Sequence, residues 1–150
     1  MEHDIAPVKN IISILFAGAV LLATSMVHAE EQRIAIVAGA GSGIGAISAK
    51  EVRRAYLGAS IVLNGVEIKP LLNKTDKLAG EVFLQKVLFM SAEAYERLQL
   101  ARAFRGGGRL NTYGNMADLL VALQNDNATI TFMLYETAVN TPGIRIIGNP

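Results

Sequence analysis

Arg33-Ile-Ala-Ile-Val-Ala38, followed by Gly39-Ala-Gly-Ser-Gly-Ile-Gly45, is the stretch that decides the fold class. The first part is a short and nearly continuous apolar run. It suits a strand buried on both faces, as in a parallel sheet. The glycine-rich part, to Ala46, then reads as a strand-to-helix loop, because Ser48-Ala-Lys-Glu51 follows it. That spacing is a capping box: the Ser side chain accepts from the backbone N–H three residues on, and Glu51 reaches back. The helix it opens extends to about Leu57, where Gly58 supplies a left-handed stop. A buried strand, a glycine loop and a capped helix in succession begin an α/β domain.

Downstream, Ile61 to Leu72 reads as a hairpin turning at Asn64-Gly65, since both residues tolerate positive φ. Val66 and Ile68 alternate with Glu67 and Lys69, so one face is wet. Pro70 cannot donate to a ladder, which points to an edge or a strand end. A helix from about Lys77 to Phe89 would turn Leu78, Val82, Phe83, Val87 and Leu88 inward. Ser91 caps a second helix to about Phe104, with Tyr95, Leu98 and Ala101 inward. A glycine-rich loop from Arg105 to Tyr113 leads to a third helix, Met116 to Asn125. Thr129 to Leu134 and Gly143 to Gly148 read as strands. The expected order is β-α-β-β-α-α-α-β-β. It describes one small α/β domain with a mixed sheet flanked by helices.

Upstream, residues 1–29 read as a signal peptide. Lys9 ends a short n-region, Ile11–Met26 is an apolar run of 16 residues, and Val27-His-Ala29 places small residues at −3 and −1. The run is shorter than the roughly 20 residues that span a bilayer. The expectation is a cleaved, secreted chain whose working part is 30–150, located in the periplasm.

Composition narrows the function. There is no cysteine, hence no disulfide and no thiolate chemistry. Both histidines, His3 and His28, fall in the leader. The working domain therefore lacks the commonest general base and metal ligand, and a Ser-His-Asp mechanism is excluded. With 14 Lys+Arg against 13 Asp+Glu, no dense basic stripe is available for nucleic acid. These features argue for a binding domain and against an enzyme, and they call for no cofactor and no metal. The glycine loop does match the relaxed dinucleotide fingerprint at Gly41, Gly43 and Ala46. That reading fails on its ribose partner: no acidic residue occurs between Val52 and Val66, and no Gly-Lys-Ser/Thr exists for a P-loop.

Three stretches can present donors to an anion. Ser42 and Ser48 flank the first strand-to-helix junction. Asn73, Lys74 and Thr75 form a second junction of the same kind. Arg105 and Arg109 bracket three glycines, and arginine forks suit phosphate and carboxylate. In an open α/β sheet such junctions gather outside the carboxyl ends of the strands, so both are expected on one edge.

Glu51-Val-Arg-Arg-Ala-Tyr-Leu-Gly58, Asn64-Gly-x-x-Ile-x-Pro70, Phe83-x-x-Lys-Val-Leu-x-Met-Ser91 and Phe104-x-Gly-x-Gly-Arg109 occur in this order. The set resembles the short periplasmic proteins classed with phosphate ABC transporter substrate-binding proteins, over roughly Arg33 to Gly148. The resemblance implies a type 2 periplasmic-binding-protein-like fold, about one lobe in size, that binds phosphate or another small oxyanion. It implies a membrane permease as partner; a sensor protein or other membrane partner is the alternative, with the chain as an accessory domain. Where the family usually has Gly-Ser before the second helix, this chain has Thr75-Asp76. Where it has Ser or Thr after the Phe of the glycine loop, this chain has Arg105.

Overall fold

The computed structural model describes residues 31–150; the leader read over 1–29 lies outside them. The first strand, β1 (Ile34–Gly39), is buried along its whole length. Helix α1 (Ala49–Tyr56) follows, capped by Ser48 and Glu51 in the reciprocal pattern the sequence predicts. Gly58 then takes φ +103°, the left-handed stop. Strands β2 (Val62–Leu63) and β3 (Val66–Glu67) form a small hairpin. Asn64 at φ 49° and Gly65 at φ 78° make the turn.

The hairpin is shorter than expected. Beyond Glu67 the chain leaves it to form β4 (Lys69–Pro70) and β5 (Leu72–Asn73), which pair elsewhere. Strand β4 is the edge of the main sheet, where the missing N–H of Pro70 costs least. Helix α2 (Lys77–Phe83) runs on through a π-helical turn, Leu84–Leu88, and ends at Phe89 in the left-handed region, φ 55°. Of the residues expected inward here, Leu78 is instead exposed; Val82, Phe83, Val87 and Leu88 are buried. Helix α3 (Ala92–Phe104), helix α4 (Met116–Asn125) and strand β7 (Thr129–Leu134) follow the sequence reading, while strand β6 (Thr112–Tyr113) forms at the end of the stretch expected as a glycine-rich loop. Between β7 and β8 (Ile144–Gly148) lies a five-residue helix, α5 (Tyr135–Val139), which no periodicity announces.

The main sheet has the order β4-β7-β1-β8. Strand β1 is central and runs antiparallel to both neighbours, while β4 runs parallel to β7. The sheet is thus mixed, and the parallel environment expected for β1 is corrected. Burial on both faces requires only layers above and below, and both are present. Ile34, Ile36 and Ala38 point to α1, α2 and Tyr95 of α3, in a core that stacks Phe83 on Phe132 at 3.9 Å between ring centroids. Ala35 and Val37 point the other way, onto Leu119 and Leu123 of α4 and Ala138 of α5. Strands β5 and β6 form a separate parallel pair beside the main sheet.

Candidate functional site

The topology separates the two junctions. Along β4 and β5 the chain tracks β7 forward: Lys69 pairs with Thr129, Pro70 with Ile130, and the Asn73 side chain reaches Phe132. Strand β1 tracks β7 backward, from Ile34 opposite Leu134 to Ala38 opposite Ile130. The β1–α1 loop and the β5–α2 junction therefore leave the sheet at opposite ends. The expectation of one shared edge is overturned, because it assumed parallel strands.

In the first loop both serines and several amides are held by bonds within the fold. The Ser42 hydroxyl donates to the Asn127 carbonyl at 2.7 Å and accepts from the Ile44 amide at 3.2 Å. The amides of Ala40, Ser42 and Ile47 donate to the carbonyls of Gly143, Gly39 and Ile147. Gly39 has a packing role, since a Cβ there would overlap the Leu123 carbonyl oxygen of α4. Arg145, on β8, donates to the carbonyls of Ser42 at 2.6 Å and Ile44 at 2.7 Å. This pin crosses about a hundred residues of sequence, and no local signal marks it. Ser48 is committed to its cap, and Glu51 places a carboxylate at the α1 N-terminus. The Ser48 amide holds the Glu51 carboxyl below the ordinary range. A side-chain anion thus occupies the place an external one would take.

The second junction sits differently. Asn73 is buried; its amide nitrogen donates to Phe132 O at 2.8 Å, and its Oδ1 accepts from the Thr75 amide and hydroxyl. Asp76 is the N-cap of α2 and accepts from the amides of Leu78 at 2.8 Å and Ala79 at 3.2 Å. Lys74 is exposed and its ammonium has no ion-pair partner among the described residues. It stands on the rim of a hollow of about 150 Å³ between α2 and α3, walled by Phe83, Leu84, Tyr95 and Phe132, with Glu96 on the same rim. Tyr95 donates to the Tyr56 carbonyl at 3.1 Å, and burial pushes its hydroxyl well above the ordinary range.

The third stretch converges on the second. Strand β6 pairs with β5, and the Lys74 amide donates to Tyr113 O at 2.8 Å. Arg109, on the loop entering β6, forms an ion pair with Glu96. Asn73, Lys74 and Glu96 line one hollow, and Arg109 pairs with Glu96 from outside its lining. Ser42 and Ser48 are not among them. Arg105 caps the end of α3 with its backbone, and its side chain is exposed. Among the described residues no cluster of three or more His, Cys, Asp or Glu residues suits a metal.

No protein-family model matches this chain, and neither does any curated protein. Solved structures do. The chain is similar to an ABC-type phosphate transport receptor from Vibrio cholerae, with a TM-score of 0.56, 8% identity, and coverage of 79% of this chain and 48% of the receptor. A second similar structure is described as a possible phosphate binding protein from Planctomyces limnophilus DSM 3776. Its TM-score is 0.48 at 11% identity, over 77% of this chain and 40% of that one. The chain therefore spans about half the length of these two proteins or less. The likeness is one of fold: a periplasmic-binding-protein-like α/β unit, about one lobe in extent. Neither neighbour is described as an enzyme.

Proposed function

We propose that the chain is an exported, periplasmic solute-binding lobe that takes phosphate or a related small oxyanion and presents it to a membrane transporter. The observation that carries this reading is Lys74. It is a cation without an ion-pair partner among the described residues, on the rim of a hollow, at a strand-to-helix junction of a receptor-type fold. Arg109 adds a guanidinium on the neighbouring loop, held by Glu96. Recognition then relies on side-chain cations, because Asp76 already fills the α2 N-terminus. Calorimetric titration of the 30–150 chain with phosphate tests this. Lys74→Ala should weaken binding at least about tenfold, the scale of one charge-assisted hydrogen bond. Arg53→Ala, on α1, should change it little. Export is tested by mass spectrometry of the periplasmic fraction: Glu30 is the expected N-terminus, and an intact Met1 species in the membrane counts against it.

A second reading is favoured by a specific observation. Carboxylates occupy the N-terminal turns of both α1 and α2, through Glu51 and Asp76. A lobe whose helix N-termini have filled themselves suits an accessory domain that contacts a sensor kinase, porin or other membrane protein. A wild-type chain that binds neither phosphate nor sulfate would select this alternative.

A further inference from the structure

A hollow of about 190 Å³ lies between the C-terminal turn of α1, the β2–β3 hairpin and α3, and Arg102 lines it from α3. The Nη1 of Arg102 is buried and without a hydrogen-bond partner. Its guanidinium has no ion pair among the described residues. A buried donor on a cation is costly to leave unpaired. The end of α1 does not supply the missing acceptor. The carbonyls of Arg53, Arg54 and Ala55 there accept from the amides of Leu57, Ala59 and Gly58. Gly58 makes room for the guanidinium: a Cβ at that position would stand 2.6 Å from Arg102 Nε. Gln99, one turn earlier on α3, carries a second buried donor without a partner, and its Oε1 accepts from the amide of Leu110, which also lines the hollow.

Glu67 lines the same hollow from the hairpin. Its carboxylate accepts from the Ser60 hydroxyl at 2.7 Å and is not in ion-pair contact with Arg102. The space thus offers a guanidinium and a carboxylate held apart, with Ile68, Pro70 and Ala55 as apolar wall. A simple anion there would meet Glu67, and a simple cation would meet Arg102. A zwitterion complements both.

We propose that this hollow binds a small α-amino acid, with Arg102 taking the carboxylate and Glu67 the ammonium. A guanidinium donates charge-assisted hydrogen bonds to a carboxylate. The site is distinct from the Lys74 rim and does not depend on the oxyanion reading.

The test is titration of the 30–150 chain with glycine and alanine, with acetate and methylamine as half-ligands, followed by amide NMR shifts. Alanine should bind, and each half-ligand should bind at least about tenfold more weakly. Arg102→Gln and Glu67→Gln should each weaken alanine by a similar factor, and Lys74→Ala should leave it unchanged. Glu67 is exposed on a two-residue strand, so its variant decides the matter even where Arg102→Gln fails to fold. Absence of any response to glycine or alanine at millimolar concentration overturns the proposal. So does equal alanine affinity in Glu67→Gln. Coupling of Arg102 to Glu67 in a double-mutant stability cycle, with no alanine effect, would show a closed internal pair and overturn it as well.

Discussion

The side-chain amide of Asn73 donates to the carbonyl of Phe132 at 2.8 Å and so ties β5 to the middle of β7. The same side chain holds the Thr75 amide at 2.9 Å through Oδ1. Asn73 is therefore the bolt of the β5–α2 junction, and its polar atoms are spent on the fold. Asn73→Ala leaves a buried carbonyl and an amide without partners, at a cost of about 2–3 kcal/mol. Urea denaturation should show that loss. Thr75→Val removes only one hydroxyl bond and should cost about 1 kcal/mol.

Two glycines of the same loop should respond in opposite ways. Gly39→Ala drives a Cβ into the Leu123 carbonyl, so β1 and α4 must separate. Overpacking of this kind costs about 3 kcal/mol. A Cβ at Gly43 would meet no atom within 4 Å, and the backbone there has no positive φ. Gly43→Ala should be neutral or stabilise by up to about 1 kcal/mol through the unfolded chain. Thermal melts of the two variants compare them directly. A nucleotide-binding glycine loop would behave otherwise, and neither NAD nor NADP should raise the melting temperature.

Asp76 sets the electrostatics at the start of α2. Its carboxylate takes the Leu78 and Ala79 amides, so a second anion there meets both repulsion and filled donors. Asp76→Ser keeps a capping hydroxyl and removes the charge. Phosphate affinity should rise by about tenfold, since one like charge at a helix N-terminus is worth about 1 kcal/mol or more. Calorimetry of the variant against wild type reads this out. An unchanged or lower affinity would place the anion elsewhere than the Lys74 rim.

Acid should weaken the fold in a defined direction. The Ser48 amide lowers the Glu51 carboxyl, and the Lys69 ammonium, at 2.8 Å, lowers that of Asp126. Both groups ionise more readily folded than unfolded. Their contribution is present above the ordinary values of 4.5 and 3.8 and is lost as pH falls through the lower folded ones. The melting temperature should drop on acidification below that range. The double variant Glu51→Gln with Asp126→Asn should show a shallower drop, measured by thermal melts across an acid series.

Much of the fold is legible locally because the signals are local. Ser48 and Glu51 satisfy each other within one turn, so the start of α1 is written in four residues. Asn64-Gly65 turns its hairpin for the same reason. Ser91 starts α3 through its own hydroxyl, which accepts from the Ala94 amide. The buried run at β1 is legible as a strand but not as an antiparallel one. Burial on two faces selects apolar residues whichever way the neighbours run, and direction depends on where β7 and β8 arrive, far along the chain.

The site divides along the same line. Local spacing announces an α/β domain, its helix starts, and donor-bearing stretches at Ser42 and Ser48, at Asn73 to Thr75, and at Arg105 and Arg109. Tertiary packing puts the first junction at the far end of the sheet from the second, and pairs Arg109 with Glu96 on the rim that Lys74 shares. It also brings Arg102 and Glu67 to the lining of one hollow without pairing them. Capping and turn chemistry act over three or four residues and can be read from spacing. Strand direction, the Arg145 pin and the pairing of charges arise from contacts between segments well separated in the chain, which no local pattern encodes.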